Sequence, residues 1–334
     1  MNTLVSNFSP IDWVLVIVYL SVTLFIGVIA NRYVRNMTDY MVASRSLRSY
    51  LGVATLVGSE LGLVTVMYAS QKSFTGGFAA FHIGLLAGLV ALLVGLTGFI
   101  VVPLRAMEVK TIPEFYEKRF GTGVRILGGL ILAFAGILNM GMFLKAGAIF
   151  VTALTGMEDP NAVNWVMTGL ILLVLFYTIL GGMVSVVITD YVQFVVLSIG
   201  LLLTCGLAVR EVGWSNLFDT VAEVHGEAGF NPFNDEGFGL SYVAWMAFTA
   251  GLVSCAVWQT AVMRACAAES TEVVKRLYVW SSIGFMIRFL VPQFLGICAL
   301  VFFWQHEAAK AMFFLPDGTV VPDATTHFKQ CLSS

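Results

Sequence analysis

The sequence predicts an all-α integral membrane protein with about eight transmembrane helices. Of its 334 residues, 58% are hydrophobic and 11% are charged, whereas soluble domains have about 45–50% apolar and about 25% charged residues. Long stretches without a charged residue recur along the chain, and about 20 apolar residues suffice for a helix to cross a bilayer. Basic residues are concentrated in alternate connecting segments, as expected of a chain that crosses a membrane repeatedly.

The spans follow from the apolar runs. Residues 13–31, 73–104, 160–189, 191–209 and 237–263 carry no charge. Three other runs are interrupted once each, by Glu60, Lys145 and Arg288. Turn signals divide the runs, with a loop expected at 181–189. The predicted helices lie near residues 12–31, 49–71, 78–104, 124–155, 162–182, 186–209, 239–262 and 276–304.

The connecting segments predict an orientation. Positive charge is retained on the cytoplasmic side of a membrane, and most basic residues fall in three segments: Arg32, Arg35, Arg45 and Arg48; Arg105, Lys110, Lys118, Arg119 and Arg125; and Arg264, Lys275 and Arg276. The alternate loops, near 156–161, 210–238 and 305–334, are rich in Asp and Glu. Both termini are therefore expected to be extracytoplasmic.

Several function classes are not expected. A net charge of −2 gives no basic field for nucleic acid. The sequence contains no metalloprotease, nucleophile-elbow or nucleotide-loop motif in a suitable context, so we expect neither an enzyme nor a cofactor. The widely spaced cysteines indicate core residues rather than a disulfide framework or a metal site. They are Cys205, Cys255, Cys266, Cys298 and Cys331.

Glu60 is the first ionisable residue within a predicted membrane span. Such residues cost free energy in a bilayer and are therefore candidates for a functional role. Gly58, Ser59, Gly62 and Thr65 surround it and weaken a helix, so a broken helix is expected. Half-helix ends expose backbone groups that secondary transporters use to bind cations and solutes. The alternative is a neutral, hydrogen-bonded contact between helices.

Asp190 is the second such residue. It opens the predicted sixth helix near the cytoplasmic edge. Either Thr189 or Asp190 could cap that helix, or Asp190 could bind an ion. Lys145 and Arg288 lie within long predicted helices, and for both a structural role is favoured.

Four stretches together resemble the sodium/solute symporter family. The first holds Asp39, Arg45 and Leu47 before the Glu60 segment. The second, TIPEFYEKRFG, begins at Thr111, and the third, GGMVSVVITDYVQ, runs from Gly181 to Gln193. The fourth combines Gln259, Arg264, Ala267 and Ala268. The resemblance covers about residues 12–304, nearly the whole chain.

The resemblance implies a broken-helix, LeuT-like fold of five plus five inverted-repeat helices with one leading helix. In a single membrane domain, 1–334, it implies a leading helix at 12–31, a first repeat at 49–210, the first two helices of the second repeat at 239–304, and an extracytoplasmic tail at 305–334. The second repeat would be incomplete, so this chain is expected to represent a truncated transporter that does not necessarily transport alone.

The resemblance also implies binding residues. Sodium would be held at Gly58, Glu60 and Leu61 by the broken helix, with Asp190 as a further candidate, and sodium is the only metal expected. The solute would contact Thr65, Trp258 and Gln259. Trp258 could instead be an interfacial anchor and Gln259 a helix-end hydrogen-bonding residue.

The function implied is sodium-coupled symport of a small organic solute across the cell (inner) membrane. Its partners would be the solute, sodium and the lipid bilayer, with no nucleic acid. The alternative is a symporter-like sensor module of a signalling protein such as a histidine kinase. Residue chemistry alone leaves sodium and proton coupling open, because a carboxylate such as Glu60 can bind either.

Overall fold

The protein is helical throughout its described part. The computed structural model describes residues 8–157, 159, 161–315 and 318–321. One segment, Ala247–Val257, is π-helical. The α-helices are α1 Pro10–Ala30, α2 Met37–Val42, α3 Ser49–Glu60, α4 Leu63–Gly76, α5 His82–Thr97, α6 Val101–Ala106, α7 Ile112–Phe120, α8 Thr122–Thr155, α9 Ala162–Val212, α10 Trp214–His225, α11 Gly239–Met246, α12 Gln259–Ala267, α13 Thr271–Gln305 and α14 Glu307–Phe313.

Within the described ranges, six helical stretches are long and apolar enough to cross a membrane. They are Pro10–Ala30, Leu63–Thr97, Thr122–Thr155, Gly182–Val212, Gly239–Ala267 and Thr271–Gln305. A seventh apolar helix, Ala162–Phe176, is shorter. The predicted span at 49–71 is divided between α3, which has 12 residues, and α4. The all-α membrane fold is confirmed. The broken span at 49–71 and the shorter helix in place of the span at 162–182 account for the difference between the eight predicted spans and these six.

The predicted loop at 181–189 is wrong. Residues 162–212 form one 51-residue helical element in which Gly182 alone leaves helical geometry, with φ 50° and ψ −143°. Glycine tolerates this backbone conformation. A Cβ at this position would also lie only 2.6 Å from the carbonyl oxygen of Tyr40. The two predicted helices therefore meet at a single glycine.

The chain forms two compact units, and the first comprises residues 1–64, 94–194 and 256–279. Its α7 begins at a cap in which the Thr111 hydroxyl accepts from the Glu114 N–H at 3.3 Å. The Glu114 carboxylate in turn accepts from the Lys110 N–H at 2.8 Å, so two free backbone donors are satisfied. α7 then packs on α8, where Gly128 leaves room for the ring of Tyr116.

The second unit comprises residues 65–93, 195–255 and 280–334. In it, α4 and α13 approach closely at Gly296, where a Cβ would collide with the Ser70 carbonyl and the Ser73 hydroxyl. Ser73 donates to the Gln293 carbonyl at 2.5 Å, and Ser70 donates to the Pro292 carbonyl at 2.8 Å. Small residues and interhelical hydrogen bonds are the usual means of helix association in a bilayer.

The cysteines are mostly core residues, as predicted. Cys255, Cys266 and Cys298 are buried and Cys205 is half-buried, and all four are free thiols. Cys331 lies outside the described residues. Of the two other charges expected within spans, Arg288 is buried and Lys145 is exposed on α8.

Acidification should destabilise the protein through His225, which lies outside the candidate spans. Burial lowers the pKa of His225, and its Nε2 lies 3.0 Å from the Phe74 carbonyl. The folded state therefore prefers neutral imidazole, and the resulting stability is present above the unfolded pKa of about 6.5. It is lost as the pH falls below that value. Melting temperatures measured from pH 7.5 to 5 should fall less steeply for His225→Gln. Equal slopes would contradict this assignment.

Candidate functional site

The first feature of the candidate site is the break after Glu60. α3 ends at Glu60, the Leu61 backbone leaves helical geometry at φ −89° and ψ 71°, and α4 begins at Leu63. The Leu61 N–H still donates to the Val57 carbonyl at 3.0 Å. The last carbonyls of a helix lack intrahelical partners and carry partial negative charge. The break predicted from the glycines and Ser59 is thus present, and the last carbonyl groups of α3 lie at the helix end formed by Glu60 and Leu61.

A second break lies at Trp258. The hydropathy pattern predicts one continuous span at 239–262, but the structure interrupts it. The π-helical segment ends at Val257, Trp258 is extended at φ −64° and ψ 135°, and α12 starts at Gln259. Limits of the two units fall between residues 64 and 65 and between residues 255 and 256, within a few residues of the two interruptions.

Glu60 is held by a residue that the sequence analysis missed. In the first unit, the Thr260 hydroxyl donates to Oε1 of Glu60 at 2.9 Å. This bond joins the end of α3 to the start of α12. Thr260 directly follows the predicted solute-contacting pair Trp258 and Gln259, which was the available signal.

Gly58 brings α3 against α9. A Cβ on Gly58 would lie 2.8 Å from the backbone oxygen of Asp190 and 3.3 Å from Cβ of Phe194. Only glycine allows such a close approach without displacement of the backbone. The structure therefore places three predicted sodium residues, Gly58, Glu60 and Leu61, at one helix end, with the Asp190 backbone beside Gly58.

Asp190 forms a buried ion pair within the first unit. Its Oδ2 accepts from Nη2 of Arg264 at 2.6 Å and from the Thr55 hydroxyl at 2.6 Å. Arg264 also donates through Nε to Thr55 at 3.3 Å and through Nη1 to the Thr260 carbonyl at 3.0 Å. Asp190, Thr55 and Arg264 are 7%, 0% and 4% exposed. We call the set of Glu60, Thr260, Arg264, Thr55 and Asp190 the polar chain.

The capping hypothesis for Thr189 and Asp190 is wrong. Both residues lie well inside α9, because the helical geometry resumes directly after Gly182. The Thr189 hydroxyl donates to the Ser185 and Val186 carbonyls, both at 3.0 Å. The Asp190 carboxylate instead accepts hydrogen bonds from Thr55 on α3 and Arg264 on α12. The sequence motifs contained both Asp190 and Arg264 but gave no indication that they pair.

The predicted solute contacts are distributed over both units. Thr65 is half-buried on α4 and belongs to the second unit. Trp258 and Gln259 are half-buried in the first unit. The Gln259 carbonyl oxygen Oε1 is buried and has no hydrogen-bond partner among the described residues. Gln259 is therefore a polar group in need of a partner, because unsatisfied buried acceptors cost free energy.

The oxygen atoms of this site fit a hard cation. Carbonyl and carboxylate oxygens are the ligands that such ions prefer, in contrast to the nitrogen and sulfur ligands of zinc. In the described part of the chain, no cluster of three or more His, Cys, Asp or Glu residues could hold another kind of metal ion.

Comparisons with known proteins agree with this architecture. The chain is 25% identical over 238 residues to sodium/proline symporter 2 of Staphylococcus saprophyticus, which covers 67% of this chain and 45% of that protein. It is 26% identical over 278 residues to the sodium/proline symporter of Staphylococcus aureus, covering 77% and 49%. The chain thus spans about half the length of the curated relatives it matches.

A solved structure shares the fold. It is the substrate-bound, outward-open state of a Na⁺-coupled sialic acid symporter, with a TM-score of 0.73 and 22% identity over 90% of this chain and 62% of that one. These relatives are transporters, and the alternative of a sensor module finds no support among them. The sodium:solute symporter family model matches residues 40–320. The chain belongs to the sodium:solute symporter family.

Proposed function

We propose that this protein acts in sodium-coupled symport of a small organic solute. One observation carries the proposal most directly: the Glu60 carboxylate lies at the carbonyl end of a helix that breaks within the predicted membrane segment. Such a helix end attracts a cation through its partial negative charge, and the carboxylate adds a full one. The protein would lie in the cell membrane with both termini outside, and no cofactor would be needed.

We propose that sodium is bound by the backbone carbonyls of Gly58 and Leu61, with Glu60 supplying the charge. Asp190 has a different role in this proposal. Because its Oδ2 already accepts from Arg264 and Thr55, we assign it to positioning α3 and α12 rather than to direct sodium contact. The effect of Asp190 on sodium binding would then be transmitted through the polar chain.

We propose that the solute contacts Thr65, Trp258 and Gln259 and that it carries a carboxylate. The named substrates of the relatives, proline and sialic acid, both contain this group. The side-chain amide of Gln259 can donate to a carboxylate, and the indole of Trp258 offers an apolar face. The buried acceptor Oε1 of Gln259, which lacks a partner among the described residues, needs a donor, and an ammonium or hydroxyl group beside the carboxylate of the solute would supply one.

Replacing Glu60 with glutamine should weaken sodium binding at least tenfold, corresponding to about 1.4 kcal/mol. Glutamine keeps the shape and can still accept from Thr260, so the fold should be retained while the charge is removed. Binding of ²²Na⁺ to purified protein checks the site, and sodium-driven uptake of labelled proline and sialic acid into proteoliposomes checks the function.

Glu272→Gln is the matched control, because Glu272 is 72% exposed in its side chain and, among the described residues, forms an ion pair with Arg276 alone. It should bind sodium like the original protein. Unchanged sodium affinity in Glu60→Gln would contradict the site, whereas sodium binding without sodium-dependent uptake of either solute would contradict the choice of solute. Equal uptake in sodium and choline buffers would contradict the coupling.

A further inference from the structure

A cavity of about 640 Å³ lies in the first unit, and its lining includes Val257, which directly precedes the second helix break, but no residue of the break after Glu60. Its walls include the loop that follows α5, the helices α6 and α7, and the start of α13. The volume is within the range of about 300–1,000 Å³ that is typical of ligand sites. Neither the sodium residues nor the solute residues proposed above line this cavity.

Most of the lining is apolar, and the charged groups are of one sign. Phe99, Val102 and Val262 are among the apolar residues, and Arg119 and Lys275 are the charged ones. None of the described residues that line the cavity is acidic. The cavity therefore combines an apolar wall with an excess of two positive charges.

The acidic residues near these cations in sequence are engaged elsewhere. Glu117 pairs with Arg125, and Glu272 pairs with Arg276. Neither Arg119 nor Lys275 has an ion-pair partner in the part of the chain that the structure describes. The guanidinium of Arg119 lies 5.9 Å from the ring centre of Phe120, and the stem of Lys275 covers Gly98. Both cations are exposed and available to an anion from outside the chain.

The position of the cavity at the ends of three candidate spans predicts that it lies at a boundary between membrane and water. Thr97 is the last residue of one candidate span, Lys275 lies in the first turns of another, and Arg119 precedes the span that begins at Thr122. These three ends belong to the side that the basic residues mark as cytoplasmic. An apolar cavity with basic residues at such a boundary has the properties of a lipid-binding site. The phosphate of the lipid would stay at the membrane surface, and an acyl chain would enter the cavity.

We propose that this cavity binds an anionic glycerophospholipid of the surrounding bilayer. The phosphate would lie between Arg119 and Lys275, where the Tyr116 hydroxyl can also donate. One acyl chain would cover Phe99, Val102 and Val262. Because the site lies between α7 and the start of α13, the bound lipid would link the two segments.

The test measures lipid retention on the full chain in nanodiscs and after extraction into detergent, by native mass spectrometry. Phosphatidylglycerol should remain bound and phosphatidylcholine should not. The double variant Arg119→Gln/Lys275→Gln should weaken phosphatidylglycerol binding roughly 30-fold, since each basic residue near anionic lipid contributes roughly fivefold. Retention of phosphatidylglycerol by the double variant at the original level would overturn the proposal.

The matched control is Lys118→Gln/Arg276→Gln, which removes the same charge from adjacent positions on the same two helices. Neither of these residues lines the cavity. This control should retain the lipid, and an equal loss would overturn the proposal in favour of general surface attraction. Glycerol 1-phosphate supplies the anion without the chain. Failure of this compound to displace the lipid supports the proposal, whereas displacement at comparable concentration would identify a site for soluble phosphates and overturn it.

Discussion

Replacing Arg264 with glutamine is expected to lower the free energy of unfolding by about 3–5 kcal/mol, the typical cost of removing one partner from a buried ion pair. The change leaves the Asp190 carboxylate, which is 7% exposed, without its charged partner. It also removes the donors to Thr55 and to the Thr260 carbonyl. Denaturant unfolding in lipid nanodiscs, followed by tryptophan fluorescence, measures the loss.

Arg276→Gln is the control for this experiment. Arg276 is exposed and pairs with Glu272 one turn away, so its loss should cost less than about 1 kcal/mol. The double variant Asp190→Asn/Arg264→Gln should recover part of the stability, because no unpaired charge remains buried. Additive losses in the double variant would show that the two residues are not energetically coupled.

Replacing Gly296 with leucine is expected to cost at least about 3 kcal/mol, since overpacking a close helix contact typically costs about 1–3 kcal/mol and a large side chain exceeds this. A Cβ alone would collide with the Ser70 carbonyl and the Ser73 hydroxyl. Separation of α4 from α13 would also weaken the bonds from these serines to the Pro292 and Gln293 carbonyls. Gly296→Ala should show a smaller loss of the same kind, measured as above.

Gly141→Ala on α8 provides the contrast. A Cβ at Gly141 meets nothing within 4 Å, and alanine favours a helix over glycine by about 0.5–1 kcal/mol. This variant should therefore be neutral or slightly stabilised. If Gly296→Ala behaved like Gly141→Ala, the close contact between α4 and α13 would be contradicted.

The sequence predicted those features that depend on local composition. The break near Glu60 follows from Gly58, Ser59 and Gly62, and the membrane spans follow from the charge-free runs. The helix boundary at Gly182 was harder to predict from the sequence, because Gly182 lies against Tyr40, a residue distant in sequence. The loop expected at 181–189 and the cap considered for Thr189 or Asp190 were wrong for this reason.

The partners of the candidate residues were the least predictable part of the site. Arg264 contributed to the prediction as a basic residue near a span end, yet it is buried against Asp190, 74 residues away in sequence. Thr55 carries no sequence signal that distinguishes it from other hydroxyls in apolar helices, and the position of Thr260 beside Gln259 did not indicate its bond to Glu60. Pairing of this kind depends on how the helices assemble, which a hydropathy pattern does not contain.

The polar chain has a consequence for electroneutrality. With both acids ionised it holds two carboxylates, on Glu60 and Asp190, and one guanidinium, on Arg264, which leaves a single net negative charge. A net charge within a bilayer is costly to maintain. One monovalent cation beside Glu60 would bring the sum to zero, whereas a divalent cation would leave an excess of positive charge. The charge count of the site therefore favours the uptake of one monovalent ion.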